Sequence, residues 1–149
     1  MSEPYGAAPQ TGWAKMVPEL LVRNLDASLA FWRDIVGFEV AYRRPRPRFV
    51  YLERREGAQI MLCERWGKWE TGPMEPPYGR GVMFQVYVED LAPVIAAVEA
   101  RRWPVYEGLR EVWRRIGDRE GGQREIFLQD PDGYLVMVAQ DLGERPLAT

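Results

Sequence analysis

The feature that most constrains this chain is that it repeats itself. When Val22 is set against Val88, a displacement of 66 residues, Leu20 meets Val86, Asn24 meets Asp90 and Leu25 meets Leu91. Further along, at a displacement of 76, Val50-Tyr51-Leu52 and Ile60-Met61-Leu62 meet Ile126-Phe127-Leu128 and Val136-Met137-Val138, and Gly57 meets Gly133. The second copy therefore holds ten more residues between its helix and its last hairpin. A duplicated segment has to be a supersecondary unit that buries apolar surface the same way twice. The order strand, helix, three strands in each copy makes the expected fold class α+β, with paired βαβββ modules.

In the first copy, Val17-Pro18-Glu19-Leu20-Leu21-Val22 reads as a strand opened by a proline. Asp26 is the expected N-cap of a helix over residues 27 to 36, where Leu29, Trp32 and Val36 recur at helical spacing and Gly37 supplies the stop. Strands are predicted over 38 to 42, 49 to 54 and 58 to 64. Between the first two, Arg43-Arg44-Pro45-Arg46-Pro47-Arg48 suits an exposed loop, and Arg55-Glu56-Gly57 turns the next hairpin. Residues 65 to 80 hold three prolines, three glycines and two tryptophans without apolar periodicity, a long connection. The second copy reads as a strand over 82 to 88, a helix over 91 to 101, a short strand at 104 to 106, another around Val112, and strands over 123 to 129 and 134 to 140. Asp130-Pro131-Asp132-Gly133 joins the last two. One domain is expected over 14–142, with module 1 at about 16–64 and module 2 at about 81–140. Residues 1–13 read as a disordered tail whose end Trp13 anchors, and 143–149 as a C-terminal tail.

In a sheet that carries a helix on one face, alternate residues point to that helix. Leu20, Val22, Val86 and Val88 fit this set, which leaves Val17, Glu19, Leu21 and Met83, Gln85, Tyr87 on the opposite face. Histidine, the commonest metal ligand and near-neutral proton carrier, is absent from the chain. Twenty basic and 22 acidic residues give a net charge of −2, so neither nucleic acid nor an anionic membrane is an expected partner. No apolar run approaches the roughly 20 residues that cross a bilayer. One cysteine forms no intrachain disulfide, and without a charged-then-apolar leader the expected location is cytoplasmic. Cys63 has no histidine to activate it and reads as a buried, inert thiol.

The segments Val17-Pro18-Glu19-Leu20-Leu21-Val22-Arg23-Asn24-Leu25-Asp26, Ser28-Leu29-Ala30-Phe31-Trp32-Arg33, Val36-Gly37-Phe38, Arg124-Glu125 and Asp130-Pro131-Asp132-Gly133 carry a resemblance. Over about residues 16 to 142 the chain resembles the vicinal oxygen chelate superfamily of glyoxalases, bleomycin resistance proteins and dioxygenases, and within it the bleomycin resistance proteins. The resemblance implies paired βαβββ modules with curled mixed sheets enclosing a concave site. The superfamily's enzymes place His or Glu metal ligands on the inward face of four strands. By motif those places look like Val17, a position at or near Met61, Met83 and Met137. Valine is no ligand and a thioether is a weak one for hard cations, so no metal and no cofactor are expected.

Two readings of the methionines stand side by side: a cavity floor adapted to an organic ligand, and a core simply filled with methionine. Glu19 and Gln85 need hydrogen-bond partners among apolar neighbours, from a ligand, from an internal residue such as Arg124, or from a second subunit. Tyr87 suits either a ligand or a sheet edge. Phe49, Trp66, Trp69 and Trp113 are candidate aromatic walls, as bleomycin resistance proteins use aromatic side chains in their groove; packing in the core or a dimer interface is the other use of such residues, Trp103 included. The expected function is metal-independent sequestration of an aromatic or drug-like molecule by a homodimer. A metal-independent lyase, isomerase or related enzyme is the alternative, with Glu19 or Tyr87 as its proton carrier. The nearly neutral chain, its arginine run and Gly121-Gly122-Gln123, where the resistance proteins carry an aromatic before the Arg-Glu pair, depart from a groove for a cationic glycopeptide.

Overall fold

The computed structural model describes residues 5–148. The chain divides into two compact units, the first running to Tyr78 and including Asp130–Gly133, the second made of Gly79–Gln129 and the residues from Tyr134 onward. Each unit is one four-stranded mixed sheet with one helix, the α+β arrangement of paired βαβββ modules.

The first unit runs β1 (Glu19–Val22), α1 (Leu25–Trp32), β2 (Glu39–Pro45), β3 (Arg48–Glu53) and β4 (Gln59–Glu64), with sheet order β1-β4-β3-β2. Strand β1 lies parallel to β4, and the other neighbours are antiparallel. The helix starts two residues earlier than expected. Asn24 is the N-cap and its side chain accepts from the Ala27 N–H at 3.0 Å, while Asp26 lies in the first turn and pairs with Arg48 at 2.8 Å. Gly37, at φ +92°, turns the chain out of the helical end into β2. Leu20, Val22 and Leu62 are buried on the sheet side opposite the cluster of Leu21, Phe49, Tyr51 and Cys63.

The arginine run is not an exposed loop. Strand β2 continues to Pro45 and β3 begins at Arg48, in a hairpin that pairs Pro45 with Arg48 and Arg44 with Phe49. Pro45 is tolerated because it closes an edge strand.

The second unit repeats the order: β5 (Met83–Tyr87), α2 (Ala92–Arg101), β6 (Val105–Ile116), β7 (Arg119–Gln129) and β8 (Leu135–Pro146), arranged β5-β8-β7-β6. Its registers match the first unit's. Glu19 faces Met61 and Gln85 faces Met137; Tyr51 faces Met61 and Phe127 faces Met137. The short strand at 104 to 106 and the strand near Val112 are one strand, β6, kinked by bulges between Val105 and Glu107 and between Gly108 and Arg110. The ten extra residues lengthen β6 and β7 to twelve and eleven residues, and β8, at twelve, runs on past Gln140 to pair with the lengthened β7. Residues 143 to 146, read from the sequence as tail, belong to β8.

The N-terminal segment also departs from expectation. Residues 1 to 4 lie outside the described residues, but from Tyr5 onward the chain is tied down. Gly6 bridges Tyr42 on the edge strand, Ala7 N–H donates to Ala41, and Arg43 N–H donates to Tyr5. No described helix is long and apolar enough to cross a membrane.

Candidate functional site

The helix-free face of the second sheet holds a cavity of about 590 Å³. Alternation places Met83, Gln85 and Tyr87 of β5 on this face, Met137 of β8 beside them, and Phe127 of β7 beyond. Phe127 and Met137 are buried in one apolar cluster with Ala139, while Met83 and Tyr87 are exposed at its edge. The Tyr87 hydroxyl donates to Gln85 Oε1 at 3.0 Å, and the Gln85 amide N–H groups meet no acceptor among the described residues.

One polar cluster on this face was not foreseen. Glu125, one position along from Phe127 in the alternation, has a fully buried carboxylate. Arg114 binds both its oxygens, at 2.7 and 3.0 Å, Arg110 Nε adds a bond at 3.0 Å and Gln123 Nε2 one at 2.9 Å. The Arg114 bonds hold the carboxyl below its ordinary range against the upward push of burial, with Arg110 and Gln123 helping. Arg114 and Gln123 also line the cavity, so Glu125 fixes the orientation of two cavity-wall side chains. The sequence signal was available: a carboxylate on an inward, apolar face requires cations around it.

The corresponding face of the first unit carries Glu19, Met61, Tyr51, Phe49 and Cys63. Arg44 lies over the rings of Phe49 and Tyr42, 4.7 and 5.3 Å from their centroids. Desolvation raises the Glu19 carboxyl above its ordinary range, and the positive charge of Arg44 draws it partly back. Arg44, not Arg124, is thus the cation that bears on Glu19. Burial, then the charges of Glu19 and Glu64, push the thiol of the buried Cys63 up and keep it protonated. A separate groove of about 390 Å³ in this unit is bordered by Phe49 and by Arg43, Arg44 and Arg48.

Residues 17–138 match the glyoxalase/bleomycin resistance protein/dioxygenase superfamily. The chain belongs to that superfamily. A lactoylglutathione lyase of Haemophilus influenzae is 29% identical over 127 residues, covering 78% of this chain and 84% of the relative. The crystal structure of a lactoylglutathione lyase from Agrobacterium tumefaciens superposes with a TM-score of 0.55 at 25% identity, over 85% of this chain and 92% of that one. An antibiotic-binding protein from Streptomyces sp. CB03234 shares the fold at a TM-score of 0.58 and 16% identity, over 84% of this chain and 93% of that one.

The superfamily's metal does not fit the residues at the matching places. Val17 offers no donor, Met61, Met83 and Met137 offer thioethers, and Met137 is packed against Phe127. Among the described residues, no three of His, Cys, Asp or Glu come together to hold an ion. Glu125 is already surrounded by three donor side chains.

Of the sequence candidates, Met83, Gln85, Tyr87 and Met137 come together at the second unit's cavity. Glu19, Phe49 and Met61 come together on the first unit's face. The tryptophans go elsewhere. Trp66 and Trp69 pack edge to face, 5.4 Å apart, on the loop after β4, both exposed. Trp113 is on β6 across from Gly122, with Arg145 4.0 Å above its ring and its N–H donating to Glu111 at 2.9 Å. It is not among the residues lining the cavity.

Proposed function

We propose that this protein sequesters a small aromatic or drug-like molecule without a metal, in the second unit's cavity, and that it works as a cytoplasmic homodimer close in kind to the bleomycin resistance proteins. The observation that carries the reading is a cavity of about 590 Å³ whose floor is thioether and phenyl and whose wall offers unspent amide N–H groups at Gln85. Such a site grips a flat conjugated ring and reads one acceptor on its edge. The exposed Tyr106 and Leu109, outside the cavity lining, give the same unit apolar surface for a second copy.

The test is calorimetric titration with bleomycin-type and other aromatic compounds, with mass spectrometry of the recovered ligand. Saturable binding, an unaltered ligand, and at least tenfold weaker binding in Met83→Glu are expected. Binding that ignores Met83→Glu overturns the location. Sedimentation as a monomer at micromolar concentration overturns the dimer.

The raised carboxyl of Glu19 favours one second reading, a metal-independent lyase or isomerase with Glu19 as acid or base. Turnover that disappears in Glu19→Gln would put that reading first.

A further inference from the structure

The two helix-free faces match in register but not in what covers them. On the first unit, residues 10 to 14 lie at the end of the face and take up its buried polar groups. Glu53 and Gln59, opposite each other on β3 and β4, are both buried. Glu53 accepts from Gln10 N–H at 2.9 Å, Thr11 N–H at 3.0 Å and the Thr11 hydroxyl at 2.9 Å. The Gln59 amide donates to the Thr11 hydroxyl at 3.0 Å and to the Gly12 carbonyl, and its oxygen accepts from Ala14 N–H at 3.0 Å and from the Tyr51 hydroxyl. Trp13 then sets its ring edge to face against Tyr51, at 5.4 Å, and Tyr42, at 6.1 Å, which themselves stack at 5.0 Å. In the second unit the positions of Glu53 and Gln59 are held by Gln129 and Leu135.

We infer that residues 10 to 14 are an internal occupant of the first unit's face, a strap filling a second ligand site whose chemistry is that of an aromatic amide. The strap supplies an indole flanked by peptide groups, and Tyr42, Tyr51, Glu53 and Gln59 are what such a group requires: rings to pack on, a carboxylate for N–H donors, and an amide that both donates and accepts. Trp13 is 57% exposed, so a competitor can reach its slot without opening the core. Displacement by water alone is disfavoured, because it strips partners from two buried polar groups at once. The site rests on the reading that these faces take small molecules, but not on the second unit's cavity.

The probe is N-acetyltryptophanamide, an indole between two amides. Full-length protein and the Thr11→Ala/Trp13→Ala variant are titrated, each with and without Met83→Glu to close the second unit's cavity. Both altered strap residues are exposed, and the backbone of residues 10 to 14 still partners Glu53 and Gln59, so the fold is kept. In the Met83→Glu background the intact strap should compete with the probe, and the altered strap should admit one per chain at least tenfold more tightly than the intact one. Equal binding with either strap overturns the inference, and so does no binding with the altered strap. Aromatic compounds that ignore Met83→Glu while strap-dependent binding persists sink the second-unit site alone. Hydrogen exchange supplies an independent readout: the Gln10 and Thr11 amides should be protected in the intact protein and lose at least tenfold of that protection in Glu53→Gln. Unprotected amides in the intact protein overturn the strap.

Discussion

At the scale of single residues, Glu125 bears most directly on the second unit's cavity. Its carboxylate is wholly buried, while Arg110 and Arg114 are 41% and 47% exposed. Glu125→Gln should therefore cost about 1–2 kcal/mol, below the roughly 3–5 of a fully buried pair, because the abandoned arginines can turn to water. Denaturant unfolding measures this. Its folded-state carboxyl lies below the ordinary 4.5, so its stabilisation is complete above that value and lost as pH falls through the lowered one. The gap between wild type and Glu125→Gln should narrow on acidification below pH 4.5 and stay constant above it; a gap that widens in acid would refute the assignment. That Met83, Gln85, Tyr87 and Met137 share a face was legible because alternation along a strand fixes which side chains lie together. Arg114 was not, since its role depends on a bulged strand that the sequence broke in two. Trp66, Trp69 and Trp113 were chosen for ring chemistry without an element to orient them, and the structure sends them elsewhere.

At the scale of elements, the order of both modules could be read from the repeat, and the errors fall where local pattern and ladder disagree. Strand β6 carries Arg110, Glu111, Arg114 and Arg115, which hide its period, yet β7 pairs with it almost throughout its length. The run from Arg43 to Arg48 was read as loop from its prolines, although an edge strand tolerates a proline at its end. Strand β7 crosses under Trp113 at Gly122, where an added Cβ would come within 2.6 Å of the indole. Gly122→Val should displace that ring, weaken the Arg145 stack and shift tryptophan emission to the red; unchanged emission would mean the hairpin absorbs the side chain elsewhere. In α1 the cap is Asn24, so Asn24→Ala should cost about 1 kcal/mol and Asp26→Ala clearly less. The reverse order in thermal melts would restore Asp26 as the cap.

At the scale of the whole molecule, the first unit is not contiguous in sequence. Its share of Asp130–Gly133 gives the buried Trp32 an acceptor, Asp130, at 3.1 Å, and gives Arg23 one, Asp132, at 2.7 Å. Asp130→Ala should strand the Trp32 N–H in the core and cost about 1–3 kcal/mol, and residues 1 to 78 expressed alone should melt less cooperatively than the whole chain. A cooperative, stable fragment would show that the turn is dispensable. The filled face of the first unit also bears on how such a chain can evolve. Changes at Glu53 or Gln59 strike the protein's own stability, so those positions are poor places for new specificities to arise. The side chains of Gln85 and Tyr87 are exposed and hydrogen-bond only to each other among the described residues, so changes there leave the fold as it is. The same face thus carries, in one copy, positions on which the fold depends and, in the other, exposed positions that tolerate substitution.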